Sequence, residues 1–403
     1  MQHRTLIAML GSPAGGEYQE TRYQIDRWIS EPTRFSFYPH IKKLQPDQVY
    51  LFGSNDSIWE SLPGDLEYDK VEISLGRDAN EQWSIFEEFV KLDLRSDHIT
   101  FDLTHGFRSM PFLALLGMIY FKEMNKDIHI QHVFYGAYEN RDREHNITPV
   151  IDLAPFLEII DWLYASKIFL THGDGMGLAK LLSNEQQFLG LVDGLEQTAI
   201  ATRMNYVIEA IDGLEKTHKA LKKCKNLPLP FKLVERRVDK LPEIILKHKY
   251  AWRRQHEMAR WFLENRQPAN SIITLRESII TYFAECINAS DRSYKNRNQI
   301  AKVIPKILNR YGFSDLRSLY GEVTSLRNSA GHSKLDSHRT SDMVNDLTLL
   351  EKLVKDSTDF MNRDQNSANW GLIRKQIIEG GHDIEWLNLD SEIDIESLRS
   401  HFG

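Results

Sequence analysis

The sequence predicts an α/β domain with a mostly parallel sheet, followed by an all-α domain. Short apolar runs alternate with helical patterns over residues 1–153, and such alternation is typical of a parallel sheet covered on both faces. After residue 153 the pattern is helical, with almost no strand signal. The length of 403 residues also indicates two domains, because a single core rarely grows so large.

Five apolar runs are the predicted core strands of the sheet. In chain order they are RTLIAMLG (4–11), DQVYLFGS (47–54), KVEISLG (70–76), HITFDL (98–103) and DIHIQHVFYGAYE (127–139). TRYQIDRW and TRFSF together predict a hairpin between the first two runs, and the predicted helices are YPHIKKL, ANEQWSIFEEFVKL and FRSMPFLALLGMIYFKEM. Ligands of such sheets bind beyond the carboxyl ends of the strands, so the residues that follow each run are candidate contacts.

The remainder of the chain divides into three segments. We expect connecting helices over 154–185 and a domain of long helices over 186–362. Residues 363–403 are acidic and only partly helical, which suggests a small cap or an interaction tail.

The composition is that of an ordinary soluble globular protein, with 41% hydrophobic and 27% charged residues. There is no run of about eighteen apolar residues and no signal-peptide layout, so we expect a cytoplasmic protein without a membrane partner. Cys224 and Cys286 are too few for a disulfide framework or a thiolate zinc site.

The net charge of −7 conceals a strong asymmetry. Residues 1–200 carry 17 Lys+Arg against 30 Asp+Glu, and residues 341–403 carry 6 against 13. Residues 201–340 carry 27 against 14, a balance of +13. Such a basic segment in an acidic chain fits a polyanion partner, and it equally fits a solvated basic helical surface.

The first candidate site is the turn LGSPAGGEY after the first strand. Gly11 and Gly16 keep the glycine spacing of a P-loop, but Glu17 and Tyr18 stand where that loop needs Lys and Ser/Thr. An NTPase is therefore not expected. The backbone N–H groups of the turn, with Ser12 beside them, could still hold a phosphate or a ribose.

The second candidate site is the strand–turn–helix DLTHGFRSMP. Thr104, His105 and Ser109 supply hydroxyl and imidazole groups, and Gly106 permits close approach. Arg108 is expected in the first turn of a helix whose N-terminal N–H groups favour an anion. A merely capped helix explains this stretch about equally well. Two such turns after separate strands favour a nucleotide-like ligand, although the sequence has no G-x-G-x-x-G for a dinucleotide.

The third candidate site is SLRNSAGHSK in the basic segment. Arg327 can hold a phosphate and stabilise charge in the transition state, while His332 can pass protons near neutral pH. Gly331 would let the helix end and turn His332 back towards Arg327, and Asn328 adds an orienting hydrogen bond. Such a set could cleave RNA through the 2′-hydroxyl, without a metal. The pattern alone is weak, but its basic surroundings favour a function.

Metal sites are not expected. HEMAR (256–260) lacks the second histidine of the zinc-protease motif, since it ends in Arg260. The histidines of HIQH (129–132) are three apart on a strand and hence on opposite faces. No acidic cluster suggests a two-metal nuclease.

Together the two halves resemble a CRISPR-associated CARF–HEPN ribonuclease, the Csx/Csm type of type III CRISPR ancillary effector. MLGSPAGGEY and DLTHGFRSMP resemble the ligand-facing turns of a CARF domain, a CRISPR-associated Rossmann fold. RNSAGH fits the R-x4–6-H motif of HEPN domains. The resemblance covers residues 1–362 and implies a Rossmann-like α/β CARF domain followed by an all-α HEPN domain.

The resemblance implies a homodimer that binds cyclic oligoadenylate and then cuts single-stranded RNA in antiviral defence, without a cofactor. Cyclic tetra-adenylate is the first expectation for the activator and cyclic hexa-adenylate the second. Arg327, Asn328 and His332 would be catalytic, on a site shared by both protomers. The expected ligand contacts are Ser12, Thr104, His105 and Arg108, with Gly11 and Gly106 permitting approach and Ser54 and Asn55 as weaker candidates.

Two alternatives remain open from the sequence. In one, the protein senses a nucleotide and regulates a partner or a nucleic acid without cutting. In the other, the N-terminal domain itself degrades the cyclic ligand with help from His105 or Thr104, which is compatible with RNA cleavage by the helical domain.

Overall fold

A computed structural model of the chain describes residues 3–13, 16–94, 98–125, 127–286, 294–310, 314–331 and 340–363. It divides into two compact units, with the division between Ile160 and Asp161. The first unit is a mixed sheet with helices, and the second is helical.

The first unit contains one eight-stranded sheet in the order β3-β2-β8-β7-β6-β1-β4-β5. The strands are β1 (Arg4–Leu10), β2 (Arg22–Ile25), β3 (Trp28–Ile29), β4 (Gln48–Gly53), β5 (Asp69–Glu72), β6 (His98–Asp102), β7 (His129–Gly136) and β8 (Ile147–Asp152). The five strands from β7 to β5 are mutually parallel. β8 runs antiparallel to β7 and parallel to β2, and β3 is antiparallel to β2.

Helices cover both faces of this sheet. α1 (Phe37–Leu44) lies on one face, while α2 (Ala79–Val90) and α3 (Met110–Met124) lie on the other. The alternation of β1 explains the two layers: Ile7 and Met9 join the core under α2 and α3, whereas Leu6, Ala8 and Leu10 join the core under α1. β1 is therefore buried on both sides, as its continuous apolar run predicts.

Two details of the sheet differ from the sequence prediction. The hairpin is formed by TRYQIDRW and the following Ile29, because Asp26 adopts a positive φ of 55° and turns the chain directly from β2 into β3. Thr33, in the predicted partner TRFSF, forms only an isolated bridge with Thr21. Strand β8 was not predicted at all.

The second unit consists of ten described helices. They are α4 (Glu158–His172), α5 (Met176–Leu182), α6 (Leu189–Arg203), α7 (Val207–Lys223), α8 (Leu229–Leu246), α9 (Ala251–Glu264), α10 (Pro268–Cys286), α11 (Tyr294–Arg310), α12 (Ser314–Gly331) and α13 (Thr340–Arg363). One apolar core joins α4 to α9, and a second joins α9 to α13. No helix among the described residues has both the length and the apolar character needed to span a membrane.

The pair α6 and α7 packs through a short internal repeat, DGLEQT (193–198) and DGLEKT (212–217). A Cβ on Gly194 would lie 2.7 Å from the backbone nitrogen of Thr217, and a Cβ on Gly213 would lie 2.7 Å from that of Thr198. Each threonine hydroxyl donates to the carbonyl of the glycine four residues earlier in its own helix, at 2.8 and 2.9 Å. The repeat therefore brings each helix backbone into contact with the other at two equivalent positions. No internal repeat was expected from the sequence.

Candidate ligand-binding edge and nuclease motif

The turns after β1 and β6 meet at a topological switch point of the sheet. β1 is hydrogen-bonded to β4 on one side and to β6 on the other, all in parallel. The chain leaves β1 towards α1 on one face and leaves β6 towards α3 on the opposite face. A crevice beyond the carboxyl ends of two such strands is where open α/β sheets bind ligands. The two turns identified in the sequence thus share one edge.

Gly11 and Gly106 are in direct backbone contact at this edge. A Cβ on Gly11 would lie 3.2 Å from the Cα of Gly106, and a Cβ on Gly106 would lie 2.9 Å from the Cβ of Met9. Gly106 also has a φ of +149°, which other residues rarely adopt. These glycines therefore allow the two turns to approach each other.

The carboxylate of Asp102, at the end of β6, organises the buried side of the edge. Asp102 is fully buried and accepts hydrogen bonds from the Ser36 hydroxyl at 2.9 Å and from the Thr104 N–H at 2.9 Å. Its Oδ2 also lies 3.0 Å from Nδ1 of the fully buried His40. These groups connect the residue before α1, α1 itself and the turn after β6.

The pKa of Asp102 reflects two opposed effects. Burial favours the neutral acid, but the hydrogen bond and charge of His40 and the Thr104 N–H favour the carboxylate. The net result is a pKa below the usual aspartate value. Asp102 is therefore a carboxylate that anchors the turn after β6. Because it is a buried anion, removal of any one of its donors would leave its charge incompletely compensated.

His105 faces inwards. It is 7% exposed, its Nε2 accepts the backbone N–H of Ser36 at 3.1 Å, and its ring centroid lies 3.9 Å from that of Tyr18. Burial is the main reason why its pKa falls to about 4; Asp102 opposes this shift and His40 adds to it. The imidazole is thus neutral at pH 7, with its proton on Nδ1, and its exposed surface is small for a ligand contact.

Thr104 and Ser54 also use their polar groups within the protein. The Thr104 hydroxyl accepts the Gly136 N–H at 2.8 Å and so joins the end of β6 to β7. Ser54 is 2% exposed; its N–H donates to the Ser57 hydroxyl at 3.0 Å and its carbonyl accepts from the Trp59 indole at 2.7 Å. Both residues fix the shape of the edge.

The side chains of Ser12, Asn55 and Arg108 are exposed at the edge, and so is the acidic side chain of Asp56 next to Asn55. Arg108 precedes α3, which begins at Met110, so it lies in the turn and not in the first helical turn as expected. Arg34 is paired with Glu17 at 3.0 Å. The edge therefore presents Arg108, for which no ion pair is recorded among the described residues, beside two neutral side chains and the acidic Asp56.

Several residues of the edge escaped the sequence analysis. Asp102 carried a signal, because a lone carboxylate inside the apolar strand HITFDL needs buried partners. Ser36 and His40, four residues apart, share one helix face and could have been proposed as those partners. The position of Tyr18, whose hydroxyl accepts the Gly11 N–H at 3.0 Å, depends on the folded loop and has no sequence signal.

The predicted nuclease motif is described in part. Arg327 is half-buried near the end of α12, and its Nη1 lies 3.2 Å from Oδ1 of the neighbouring Asn328. No ion pair is recorded for Arg327 among the described residues, so its charge is available to an anion. α12 extends through Gly331, and His332 lies outside the described residues. The predicted meeting of Arg327 and His332 therefore remains a prediction.

The HEMAR stretch forms a buried structural cluster. Nε2 of His256 lies 2.9 Å from the Ser357 hydroxyl, which ties α9 to α13. Glu257 pairs with Arg260 at 2.8 Å on the same helix. No group of three or more His, Cys, Asp or Glu side chains placed to hold a metal is found within the described parts of the chain.

Comparison with known proteins gives one informative match. No protein-family model matches the chain. It is 26% identical over 325 residues to CRISPR-associated protein MJ1674 of Methanocaldococcus jannaschii. The alignment covers 75% of this chain and 50% of that protein, so the chain spans about half the length of the curated relative it matches. The similarity supports a CRISPR association for this chain.

Proposed function

We propose that the chain is a cyclic oligoadenylate-activated, metal-independent endoribonuclease that cuts single-stranded RNA in CRISPR defence. The N-terminal unit would be the CARF-type sensor and the helical unit the HEPN-type nuclease. The observation that carries the proposal is the meeting of the turns after β1 and β6 at a switch point, because such a crevice suits a nucleotide.

The chemistry of the edge supports an adenylate ring as the ligand. Arg108 offers a charge-assisted hydrogen bond to a phosphate, while Ser12 and Asn55 offer hydrogen bonds to ribose or base. The touching glycines leave backbone, without side chains, at the centre of the edge. Gly11 and Gly106 would thus shape the floor on which the ring rests.

The helical unit supports RNA as the substrate. Residues 201–340 have a charge balance of +13, which attracts a polyanion. Arg327, with no ion pair recorded in the described residues, would hold the scissile phosphate, and His332 would act as the proton carrier. A homodimer would bring both copies of the motif to one cleft.

The test is cleavage of a fluorescent single-stranded RNA by the full chain in EDTA. Three conditions are compared: no ligand, cyclic tetra-adenylate and cyclic hexa-adenylate. We expect cleavage with one ring only, and its loss in His332→Ala and Arg327→Ala. The matched control is Arg317→Ala, which removes an exposed arginine from the same helix α12 and should cleave normally.

The sensor is tested separately by ring binding. Arg108→Ala should weaken binding by about tenfold, the cost of one charge-assisted hydrogen bond. The control Arg27→Ala removes an exposed arginine at the β2–β3 turn, on the opposite edge of the sheet, and should bind the ring normally. Ring binding without RNA cleavage in any condition would favour a regulatory protein and refute the nuclease.

Degradation of the ring by this domain is less well supported. His105 and Thr104, the groups considered for that reaction, use their ring nitrogen and hydroxyl to accept protein N–H groups. A ring-degrading activity that is lost in His105→Gln, while the ring still binds, would overturn this view.

A further inference from the structure

A second cavity lies in the N-terminal unit, at the amino-terminal edge of the sheet. It has a volume of about 320 Å³, within the size range of small-molecule sites. It opens at the start of β1, whereas the candidate ligand turns follow the end of that seven-residue strand, roughly 20 Å away. The residues that line it are Arg4, Thr5, Lys43, Leu44, Pro46, His98, Thr100 and Gln131.

The charge of this cavity is positive. Arg4 and Lys43 line it, and none of its eight described lining residues carries a carboxylate. Asp47 lies close by, but it accepts the backbone N–H of Arg4 at 2.9 Å and is not part of the lining. Two cations among described lining residues that include no acid attract an anion at contact distance.

Neither cation is fully used by the fold. The guanidinium of Arg4 donates one hydrogen bond, from Nη1 to the carbonyl of Leu44 at 2.9 Å, and so helps to cap α1. Arginine has five N–H donors, so others remain for a ligand. Nζ of Lys43 makes a long contact of 3.5 Å to the carbonyl of Ile25 and lies 5.6 Å from the Trp28 ring centroid, so it too keeps donors for a ligand. One donor of Arg4 therefore serves to cap α1. The remaining donors of Arg4 and the ammonium group of Lys43 could bind a ligand.

Neutral polar groups complete the wall. Nε2 of His98 is buried and has no hydrogen-bond partner, which is costly for a structural histidine. Thr100 lines the same wall although the residue is only 5% exposed. The register of β6 with β7 shifts between Ile99 and Thr100, and the extra residue of this bulge is Gln131. Bulges often redirect a side chain next to a site.

We propose that this cavity binds a small phosphorylated anion. The cations would hold the phosphate, while Thr100 and Gln131 would supply neutral hydrogen bonds. The volume of about 320 Å³ suits a small molecule better than a nucleic-acid strand. This inference does not depend on the proposed nuclease, because it concerns the opposite edge of the sheet and is tested by binding alone.

The test is calorimetric titration of the full chain with inorganic phosphate, at constant ionic strength maintained with chloride. Lys43→Gln and Thr100→Val should each raise the dissociation constant, Lys43→Gln by about tenfold. The matched control is Lys42→Gln. Lys42 is also exposed in α1, but its Nζ lies 4.3 Å from the Tyr38 ring centroid and it does not line the cavity. The control should bind phosphate as the wild type does.

A second titration with ribose 5-phosphate distinguishes free phosphate from a phosphorylated metabolite, which should bind more tightly. Melting temperatures of all variants verify that the unit remains folded. Equal affinities of Lys43→Gln and Lys42→Gln, or no phosphate binding beyond that of chloride, would overturn the proposal.

Discussion

At the residue scale, several polar side chains at the candidate ligand edge bind backbone groups of the protein and so hold the turns in place. A histidine that directly follows a strand, in THG at 104–106, predicted a ligand contact from the sequence. The structure places the His105 ring among Tyr18, Phe35 and Phe37. A side chain can thus belong to a site by holding its backbone in place.

His105 makes one contribution to the pH dependence of stability. An unfolded histidine has a pKa near 6.5, and the folded value is about 4. Between these values the unfolded chain holds one proton more, so the free energy of unfolding falls as the pH drops from 6.5 to 4, by about 1.4 kcal/mol per pH unit. Below pH 4 this contribution changes no further.

The measurement is an NMR titration of the histidine ring protons, with His105 assigned by the resonance that His105→Gln lacks. That resonance should titrate near pH 4, because the ring must lose the Ser36 N–H when Nε2 is protonated. Titration near pH 6.5 would show that the ring is solvated, and would return His105 to the candidate ligand contacts.

At the element scale, the tightest contact in the helical unit is that of α6 with α7. Gly194→Ala or Gly213→Ala should each destabilise the protein by about 1–3 kcal/mol, because a Cβ at either position meets backbone on the other helix. The measurement is the free energy of unfolding in urea. In the double variant the two losses of unfolding free energy should not add, because the first substitution already separates α6 from α7.

The chain offers a matched control on the same helix. A Cβ on Gly190, in the first turn of α6, meets nothing within 4 Å. Gly190→Ala should therefore stabilise the protein slightly, by about 0.5–1 kcal/mol, through helix propensity. Destabilisation by Gly190→Ala equal to that by Gly194→Ala would show that the helix–helix contact is not the cause.

Element types were more predictable from the sequence than strand partners. The runs that became β1, β4, β5, β6 and β7 were all identified, because buried parallel strands are short, apolar and bounded by turns. Strand β8 was missed, since Pro149 lies within it and proline lacks the N–H of a ladder donor. Pro149 takes part through its carbonyl, which accepts the Ala137 N–H at 2.9 Å.

The candidate edge was predictable in outline only. Gly11 and Gly106 were singled out correctly as special backbone positions, but their contact with each other depends on the parallel pairing of β1 with β6, which no local pattern encodes. The partners of Asp102 come from a helix some sixty residues earlier in the chain. Long-range contacts of this kind are decided by tertiary packing.

At the scale of the whole molecule, positive charge is concentrated in the helical unit. A cleft of about 630 Å³ there, beside the end of α7, is lined by Lys216, Lys219, Lys223 and Lys225. Lys216 donates to Gln197 and Lys219 to Glu215, whereas no ion pair is recorded for Lys223 or Lys225 in the described residues. The last two are free to meet a polyanion.

If RNA is the partner, its affinity should depend on salt and on this cleft. Binding of single-stranded RNA to His332→Ala should weaken at least about tenfold between about 50 and about 200 mM salt, as phosphate contacts release counterions. Adding Lys223→Gln and Lys225→Gln should weaken binding and flatten the salt slope, as measured by fluorescence anisotropy.

The control for this prediction is Lys222→Gln. Lys222 is an exposed neighbour whose Nζ lies 3.1 Å from Asp239, and it does not line the cleft. RNA affinity that is independent of salt, or lowered equally by the control, would contradict an electrostatic role for the cleft.

The pairing of β8 has a consequence for the order of events during synthesis. β8 lies between β2 and β7, and its partner Arg22 is 125 residues away from Ile147. In a nascent chain that has emerged only to residue 146, β2 and β7 therefore each lack the strand that pairs with one of their sides. Unpaired strand edges of this kind can pair with other chains. The sheet is completed only when residues 147–152 leave the ribosome. Translation pauses beyond this point would favour soluble protein, and pauses before it would favour aggregation.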